Sequence, residues 1–252
     1  MYAICNLSIV ALRAEASDKS EMISQVLFGE VFEIIEKREK WSYIRLQTDQ
    51  YHGWIDNKQY LEISEHNFYS ISHLPKIFNS GFIEYVSNNK RALSVPLGAE
   101  LSFMQNKDLN PEQFIFEGEP TTGIKTREQL LQTAFMYLEA PYLWGGKTPF
   151  GIDCSGFTQM VYRLSGYFIP RDACDQAKIG EPLSFIEESE VGDLAFFDNE
   201  EGRIVHVGMI MQDNHIIHAH GKVRIDRLDH LGILNVDSGR HTHKLRVIKK
   251  II

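Results

Sequence analysis

The stretch Tyr142–Phe157, which reads YLWGGKTPFGIDCSGF, constrains this chain more than any other. The glycines and the proline in its first half disfavour regular structure and predict a loop. Asp153 is a favourable N-cap residue, so a helix is predicted to begin at Cys154. The apolar residues that follow recur at helical spacing and predict that this helix buries one face; they are Phe157, Met160, Val161 and Leu164.

A cysteine at the first position of a helix is suited to be a nucleophile. The exposed backbone N–H groups and the positive end of the helix dipole favour its thiolate. An isolated cysteine is more often a small buried apolar residue. Nucleophilic catalysis therefore requires a base within hydrogen-bonding distance of the sulfur and a third polar group that orients this base.

His206 and His218 are the candidates for these two roles. They lie on consecutive predicted strands, joined by a hairpin around residues 212–214. A two-residue turn at Asp213-Asn214 would place the histidines on opposite faces of the sheet, whereas a three-residue loop or a bulge would place them on the same face. We predict the odd-numbered loop, because diagonal neighbours on one face are about 7–8 Å apart at the backbone and two imidazoles can meet there.

The alternative is a metal site with ligands drawn from Cys154, His206, His215, His218 and His220. The sequence contains no strong metal-binding spacing such as His-Glu-x-x-His. We therefore predict neither a metal nor another cofactor. His241 and His243 alternate near the C-terminus and are predicted to be solvated strand residues.

The organisation of the whole chain predicts an α+β protein in three parts. Residues 1–63 read as a small all-β barrel, because short β-branched and aromatic runs alternate with turns. Residues 64–122 contain further short strands and are predicted to form a second barrel. Residues 123–252 begin with a helix, for which Thr126 and Gln129 form a capping box and whose apolar stripe reaches Leu138, and end in strands. The predicted strands are 8–13, 30–37, 41–47, 51–56, 82–86, 92–96, 114–116, 192–197, 204–211 and 215–220.

Several motifs in a fixed order support one resemblance. They are the stretch already described, Arg171–Gln176 (RDACDQ), Val191–Leu194 (VGDL), His206–Met209 (HVGM) and Ile217–Ala219 (IHA). Together they closely resemble the NlpC-type, papain-like cysteine peptidases of bacterial cell-wall peptides, in which a helix packs on an antiparallel sheet. The N-terminal part resembles the bacterial SH3-like domains that precede some of these peptidases.

The resemblance implies roles for the site residues. His206 is the base, His218 is its orienting partner, and the oxyanion is bound by the backbone N–H of Cys154 and the hydroxyl of Tyr142. A neutral histidine in the third position would orient His206 without strongly stabilising an imidazolium. The thiolate could then supply the counter-charge, which predicts an ion pair as the resting state.

The resemblance also implies a substrate, namely murein stem peptides cut between D-glutamate, through its γ-carboxyl, and a diamino acid. A subgroup with an SH3-like domain acts on free peptides whose N-terminal L-alanine is unblocked. The residues implied to bind this amine are Glu21, Tyr51, Asp153, Ser155, Asp172 and Ala173. The last is a departure, because the family often has serine there and alanine has no hydroxyl.

Composition narrows the partners and the location. The net charge is −8 and the isoelectric point is about 5.7, which argues against nucleic acid or an anionic membrane as a partner. The chain shows neither a signal peptide nor a transmembrane stretch, and its three cysteines fit a reducing compartment. We therefore expect a cytoplasmic monomer that acts on recycled murein peptides.

Two other functions remain open from the sequence. The barrels could bind a cell-wall peptide or glycan beside an idle catalytic half, or the thiol could serve an amidase or a transamidase. The sequence does not distinguish meso-diaminopimelate from lysine as the diamino acid.

Overall fold

The structure is a computed structural model that describes all 252 residues, and they form two compact units. The first unit contains Met1–Ile124 and Trp144–Pro149, and the second contains Lys125–Leu143 and Phe150–Ile252. The loop before Cys154 therefore divides its residues between the units. None of the helices combines the length and apolar character needed to cross a bilayer.

The first unit begins with a seven-stranded antiparallel sheet in the order β3-β2-β6-β5-β4-β1-β7. Its inward-facing side chains, including Leu12, Phe32 and Ile44, form a core in which each buried aliphatic or aromatic residue contributes roughly 1.5–3 kcal/mol. The four strands predicted here are confirmed, and β1, β3 and β7 are additional. The strands are β1 (Tyr2–Ile4), β2 (Ile9–Arg13), β3 (Met22–Leu27), β4 (Val31–Lys37), β5 (Trp41–Leu46), β6 (His52–Asp56) and β7 (Leu61–Ile63).

The rest of the first unit consists of short elements that share a core with this sheet. Phe28 packs against Phe103 and Phe114 across the boundary predicted at residue 63. Gly29 has φ +81°, and a Cβ there would lie 1.8 Å from the carbonyl oxygen of Glu100, so only glycine fits this contact. The elements are α1 (Glu65–Ser72), β8 (Ile77–Asn79), β9 (Ile83–Ser87), β10 (Ala92–Pro96), β11 (Ile115–Phe116), β12 (Pro120–Thr122) and β13 (Lys147–Thr148).

The second unit contains helices and a seven-stranded sheet in the order β15-β21-β16-β17-β18-β19-β20. The long strand β21 pairs with both β16 and β20, so six of these strands close into a ring. The elements are α2 (Arg127–Phe135), β14 (Gly151–Ile152), α3 (Cys154–Leu164), α4 (Ala173–Gln176), β15 (Glu181–Leu183), β16 (Leu194–Asp198), β17 (Ile204–Ile210), β18 (His215–His220), β19 (Lys222–Asp229), β20 (Gly232–Asn235) and β21 (Arg240–Lys250).

The two predicted helices of this unit are present, with two corrections. The capping box of Thr126 and Gln129 is confirmed, but α2 ends at Phe135, and Phe135 and Leu138 are exposed rather than part of a buried stripe. Helix α3 begins at Cys154 as predicted, yet all eleven of its residues are buried, not only one face. The nucleophile candidate is therefore held by a helix enclosed on every side.

Candidate active site

The start of α3 fixes the position of Cys154. The Asp153 carboxylate accepts a hydrogen bond from the backbone N–H of Gly156 at 2.7 Å, which caps the helix as predicted. Cys154 is 6% exposed, and its thiol makes hydrogen bonds with the main chain of Ser155 and of Val207. Because Val207 follows His206 in β17, the sulfur lies beside the strand that carries the candidate base.

The resting state differs from the predicted ion pair. Burial, and next the charge of Asp153, raise the pKa of the Cys154 thiol to about 12. Burial, and next the neighbouring His218, lower the pKa of His206 well below its ordinary value. Desolvation disfavours both charged forms, so at neutral pH the favoured pair is a thiol and a neutral imidazole. The predicted thiolate is wrong for this resting state.

The odd-numbered hairpin loop is confirmed. Strands β17 and β18 pair with Gly208 opposite His218, and the backbone N–H of Met211 bonds to the carbonyl of His215. Three residues, 212–214, therefore form the loop, and His206 and His218 share one face. His206 Nε2 lies 2.8 Å from His218 Nδ1. Gly208 leaves room for this contact, because a Cβ there would lie 2.9 Å from His218 Cβ.

The carboxylate of Asp226, which was not predicted from the sequence, contacts the second of the two histidines. Asp226 on β19 is opposite Ile216, so it is the diagonal neighbour of His218 on the same face. Its Oδ2 lies 3.0 Å from His218 Nε2, and both side chains are fully buried. The period-two spacing of Arg224 and Asp226 in a strand that follows His218 was the available signal, but choosing Asp226 required the strand register.

The environment of Asp226 keeps it ionised. Arg224 donates two hydrogen bonds to it, Nε to Oδ2 at 2.8 Å and Nη2 to Oδ1 at 2.9 Å, and the backbone N–H of Val236 donates a third at 2.9 Å. Burial alone would raise the pKa of Asp226, but the bonds from His218 and Arg224 hold it well below its ordinary value. Arg224 also forms an ion pair with Asp237, with Nη2 2.8 Å from Oδ2.

These contacts define one tautomer for each histidine. An ionised Asp226 can only accept, so His218 Nε2 carries a proton and donates it. His218 Nδ1 is then an acceptor, which His206 Nε2–H satisfies. His206 Nδ1 is left as the unprotonated nitrogen of the base. The third-position histidine predicted to act alone is therefore supported by a carboxylate.

The prediction for His243 is wrong. It lies on β21 as a strand residue, but its ring stacks on His206 with centroids 4.1 Å apart and planes 25° apart, and it also contacts Phe197 and His220. Burial, and next His218, lower the pKa of His243 to about 4. His243 is therefore a neutral ring beside the base rather than a solvated residue.

Tyr142 is placed near the nucleophile. Burial, and next the neighbouring Cys154 and Asp153, raise the pKa of its hydroxyl to about 12. The hydroxyl therefore stays protonated and can donate a hydrogen bond. The backbone of Tyr142 pairs with Ile152, just before α3, and Leu143 N–H donates to the Ile152 carbonyl at 3.1 Å.

The residues predicted to bind an amine beside the nucleophile are already bonded to Arg171. This arginine donates Nη1 to Asp153 Oδ1 at 3.0 Å and Nη2 to Asp153 Oδ2 at 2.6 Å, and its Nη1 also donates to Ser155 Oγ at 2.9 Å. All three side chains are buried. Asp172 is the N-cap residue of α4 and is partly exposed, and Ala173 is the first residue of that helix.

The other two predicted amine-binding residues lie in the first unit. Glu21 accepts a hydrogen bond from Trp144 Nε1 at 2.5 Å, and Tyr51 packs against the core of the seven-stranded sheet. Lys147 pairs with Glu30 in the same unit, with Nζ 3.3 Å from Oε1 and both side chains buried. The segment Trp144–Pro149, although it leads to the nucleophile in sequence, is therefore anchored in the first unit.

Family models match both parts of the chain. Residues 139–237 match the model of the NlpC/P60 family, and residues 12–59 match that of the bacterial dipeptidyl-peptidase SH3 domain. These matches confirm the predicted fold class, a papain-like catalytic domain preceded by an SH3-like barrel. The division into barrels at 1–63 and 64–122 and a catalytic domain at 123–252 stays a prediction.

Curated relatives extend the match over most of the chain. The γ-D-glutamyl-L-lysine dipeptidyl-peptidase of Bacillus subtilis (strain 168) is 32% identical over 215 residues, which cover 78% of this chain and 71% of the relative. Dipeptidyl-peptidase 6 of Lysinibacillus sphaericus is 29% identical over 266 residues, which cover 91% of this chain and 92% of the relative. The crystal structure of an NlpC/P60 family protein from Bacillus cereus ATCC 10987 has the same fold, with a TM-score of 0.82 over 99% of both chains at 20% identity.

Proposed function

The chain belongs to the NlpC/P60 family of cysteine peptidases, and from this premise we propose that it hydrolyses the γ-D-glutamyl–diamino acid amide bond of free murein stem peptides. The substrate class is supported by the relatives named as γ-D-glutamyl-L-lysine dipeptidyl-peptidases and as dipeptidyl-peptidase 6. The observation that carries the chemistry is the chain of hydrogen bonds from His206 through His218 to Asp226, beside a cysteine at the start of a buried helix.

In the proposed reaction the Cys154 sulfur bonds to the γ-carbonyl carbon while its proton moves to His206 Nδ1. The backbone N–H of Cys154 and the hydroxyl of Tyr142 donate to the oxyanion. The C–N bond breaks as His206 returns the proton to the leaving amine of the diamino acid. Water then attacks the thioester, gives a proton to His206 and releases L-Ala-D-Glu, and the thiol is restored.

His218 and Asp226 are positioning residues in this scheme. When His206 is protonated, its Nε2–H donates to His218 Nδ1, whose ring is held in this tautomer by Asp226. The carboxylate stabilises the transient imidazolium through the intervening ring. A neutral His218 alone would provide no charge to stabilise the imidazolium, and Asp226 supplies that charge.

The amine of the N-terminal L-alanine is proposed to be bound by a subset of the predicted residues. The Asp153 carboxylate is bidentate to Arg171, so its charge is largely compensated. Amine binding by Asp172, Glu21 and Tyr51 stays a prediction for each residue, and the last two lie within the stretch that matches the dipeptidyl-peptidase SH3 domain. Asp153 and Ser155 then act through the position of Cys154.

Mass spectrometry of products tests the proposal. L-Ala-γ-D-Glu-meso-diaminopimelate, its L-lysine analogue and their N-acetylated forms are incubated with the protein, with Cys154→Ala, and with Cys174→Ala as a matched control at an exposed cysteine. We expect L-Ala-D-Glu from the free peptides with wild type and Cys174→Ala, and none with Cys154→Ala. Equal cutting of the acetylated peptides would reject amine recognition, and no cutting of any peptide would reject the substrate class.

The physiological setting is a separate part of the proposal. Recycling of murein peptides in the cytoplasm by a monomer stays a prediction, which cell fractionation and sedimentation analysis of the purified protein test directly. Activity confined to intact cell wall would contradict the recycling role.

A further inference from the structure

Three histidines converge at the active site, one more than the proposed reaction uses. His206, His218 and His243 each offer a ring nitrogen, and these three atoms lie within 4.8 Å of one another. They come from three different strands of the closed sheet, β17, β18 and β21. Two of them are fully or almost fully buried and the third is partly buried.

The set matches what a borderline divalent ion prefers. Imidazole nitrogens suit Zn²⁺, Cu²⁺ and Ni²⁺, and three protein ligands with an open fourth position are a common zinc geometry. His218 donates its Nε2–H to Asp226, which leaves Nδ1 as the ligand atom, in the carboxylate–histidine–metal arrangement that orients metal ligands. His243 Nδ1 lies 2.9 Å from the Thr242 hydroxyl, which leaves Nε2 for the metal.

The distances require a small adjustment, and one ring must also turn, because the stacked rings of His206 and His243 direct their in-plane lone pairs in nearly parallel directions. Zn–N bonds of about 2.1 Å in a tetrahedral site place ligand nitrogens roughly 3.4 Å apart. The 2.8 Å contact between His206 and His218 must therefore open by about half an ångström, and the widest separation must close by little more than 1 Å. The ion would replace the proton that His206 Nε2 donates to His218, and that proton would move to His206 Nδ1.

We propose that His206, His218 and His243 form a binding site for a divalent transition-metal ion, with Zn²⁺ the best fit, and that its occupation inhibits the peptidase. The metal holds His206 Nε2 and His218 Nδ1, so the hydrogen bond that orients the base no longer forms. The inhibition rests on the proposed function, whereas the binding does not. Water would take the fourth position, because Cys154 faces His206 Nδ1 whereas the ion is held at Nε2.

Binding is measured without any substrate. Protein freed of metal with a chelator is titrated with Zn²⁺ by calorimetry and with Co²⁺ by visible absorption, which reports a tetrahedral site. We expect one ion per chain in wild type, and an affinity at least roughly tenfold lower in His243→Ala, the lower end of the loss seen when even an outer partner of a metal ligand is removed. His241→Ala is the matched control, because His241 lies two residues away on the same strand and binds Asp229 instead.

Two more variants keep the test decisive. His243→Phe preserves a ring that can stack on His206 but removes the ligand, so it should lose affinity as His243→Ala does while folding as wild type. Cys154→Ser should still bind, since the three imidazoles are the principal ligands. Equal affinity in wild type, His243→Phe and His241→Ala would overturn the proposal, as would loss of binding in Cys154→Ser alone, which indicates capture by the thiol.

The peptide assay is then read separately. With a cleavable stem peptide, a given free Zn²⁺ concentration should inhibit wild type and His241→Ala alike. For His243→Phe, compared with its own metal-free rate, the half-inhibitory concentration should rise roughly tenfold. If no peptide is cut but Zn²⁺ binds through His243, the substrate proposal fails and the metal site stands. If the peptide is cut and Zn²⁺ inhibits all variants equally, the metal-site proposal is overturned and the proposed peptidase activity stands.

Discussion

Two arginine–carboxylate pairs border the active site, one with both partners buried and one with a partly exposed arginine, and they have different partners. On the nucleophile side, Arg171 donates to both oxygens of Asp153, which also caps the helix and accepts a hydrogen bond from Ser155. On the base side, Asp226 divides its oxygens between Arg224 and His218. The first pair fixes a backbone, and the second tunes an imidazole. The carboxylate of the first pair thus caps the helix that begins at Cys154, whereas that of the second pair accepts a hydrogen bond from a histidine.

Removing Arg171 should have the largest effect on stability. Arg171→Ala leaves the buried Asp153 without its charge partner, and breaking such a pair typically costs about 3–5 kcal/mol of unfolding free energy. Activity should fall below detection, because the cap that places Cys154 is also disturbed. Urea unfolding with circular dichroism measures the loss. An Arg171→Ala variant within about 1 kcal/mol of wild type would show that the pair does not hold the start of α3.

Asp226→Asn should have the next largest effect, and mainly on catalysis. The amide can donate to His218 Nε2, which would reverse the tautomers of His218 and His206 and leave His206 Nδ1 protonated. We expect kcat/KM to fall about 100-fold, equivalent to about 2.7 kcal/mol, and the fold to persist because the backbone N–H of Val236 and Arg224 Nη2 can still donate to the remaining oxygen.

The matched control is Asp237→Asn, which also removes a carboxylate from Arg224 but does not touch a histidine. Its activity should stay within about threefold of wild type, since exposed pairs are weak. Equal losses in the two variants would show that Asp226 acts only as a structural partner of Arg224.

Some residues of the site could be predicted from the sequence and others could not, for a physical reason. Cys154, its cap Asp153 and the capping box of α2 depend on neighbours three residues away, so local pattern is enough to place them. His206 and His218 were predictable on one face in the same way, because a three-residue loop fixes the register of a hairpin. Local rules therefore placed Cys154 at the start of a helix and both histidines on one face of the sheet.

Asp226 and His243 could not be found in this way. The contact of Asp226 with His218 depends on the register of β18 with β19, and that of His243 with His206 depends on β21 closing the sheet, 37 residues further along the chain. The thiolate prediction failed for a related reason, because the helix dipole is a local effect whereas burial of α3 on all sides is a tertiary one. Likewise, the core shared across residue 63 depends on contacts between distant aromatic residues.

Gly208→Ala should have a moderate effect that is confined to the base side. The added Cβ would lie 2.9 Å from His218 Cβ and 2.7 Å from Ile216 Cδ1, so His218 must move away from His206. Overpacking of this kind costs about 1–3 kcal/mol, and we expect a roughly tenfold lower kcat with KM little changed. Steady-state kinetics and thermal unfolding measure the two effects.

Gly202→Ala, in a turn where a Cβ meets nothing within 4 Å, is the control for inserting a methyl group, although its positive φ adds some strain of its own. A wild-type kcat for Gly208→Ala would show that this close contact does not position His218.

Arg224→Gln should have the smallest effect, and it separates the two arginine pairs by titration. Arg224 lowers the pKa of His218, although burial is the larger cause and Asp226 opposes both. Without Arg224 the pKa of His218, and of the His206 bonded to it, should rise. Both histidines must be neutral for His206 to accept the thiol proton. As the pH is lowered, the variant should therefore lose activity at a higher pH than wild type does.

The acid limb of the kcat/KM profile is therefore expected to move upward by less than about one pH unit, or roughly 1.4 kcal/mol. In Arg171→Lys, which retains a charge beside Asp153, activity should fall without a shift of this limb, because the groups that shift the pKa values of the two histidines do not include Arg171. A shift of equal size in both variants would mean that the arginines act on the base through the general field of the site. An upward shift in Arg224→Gln alone would assign the tuning of the imidazoles to the pair that directly contacts His218.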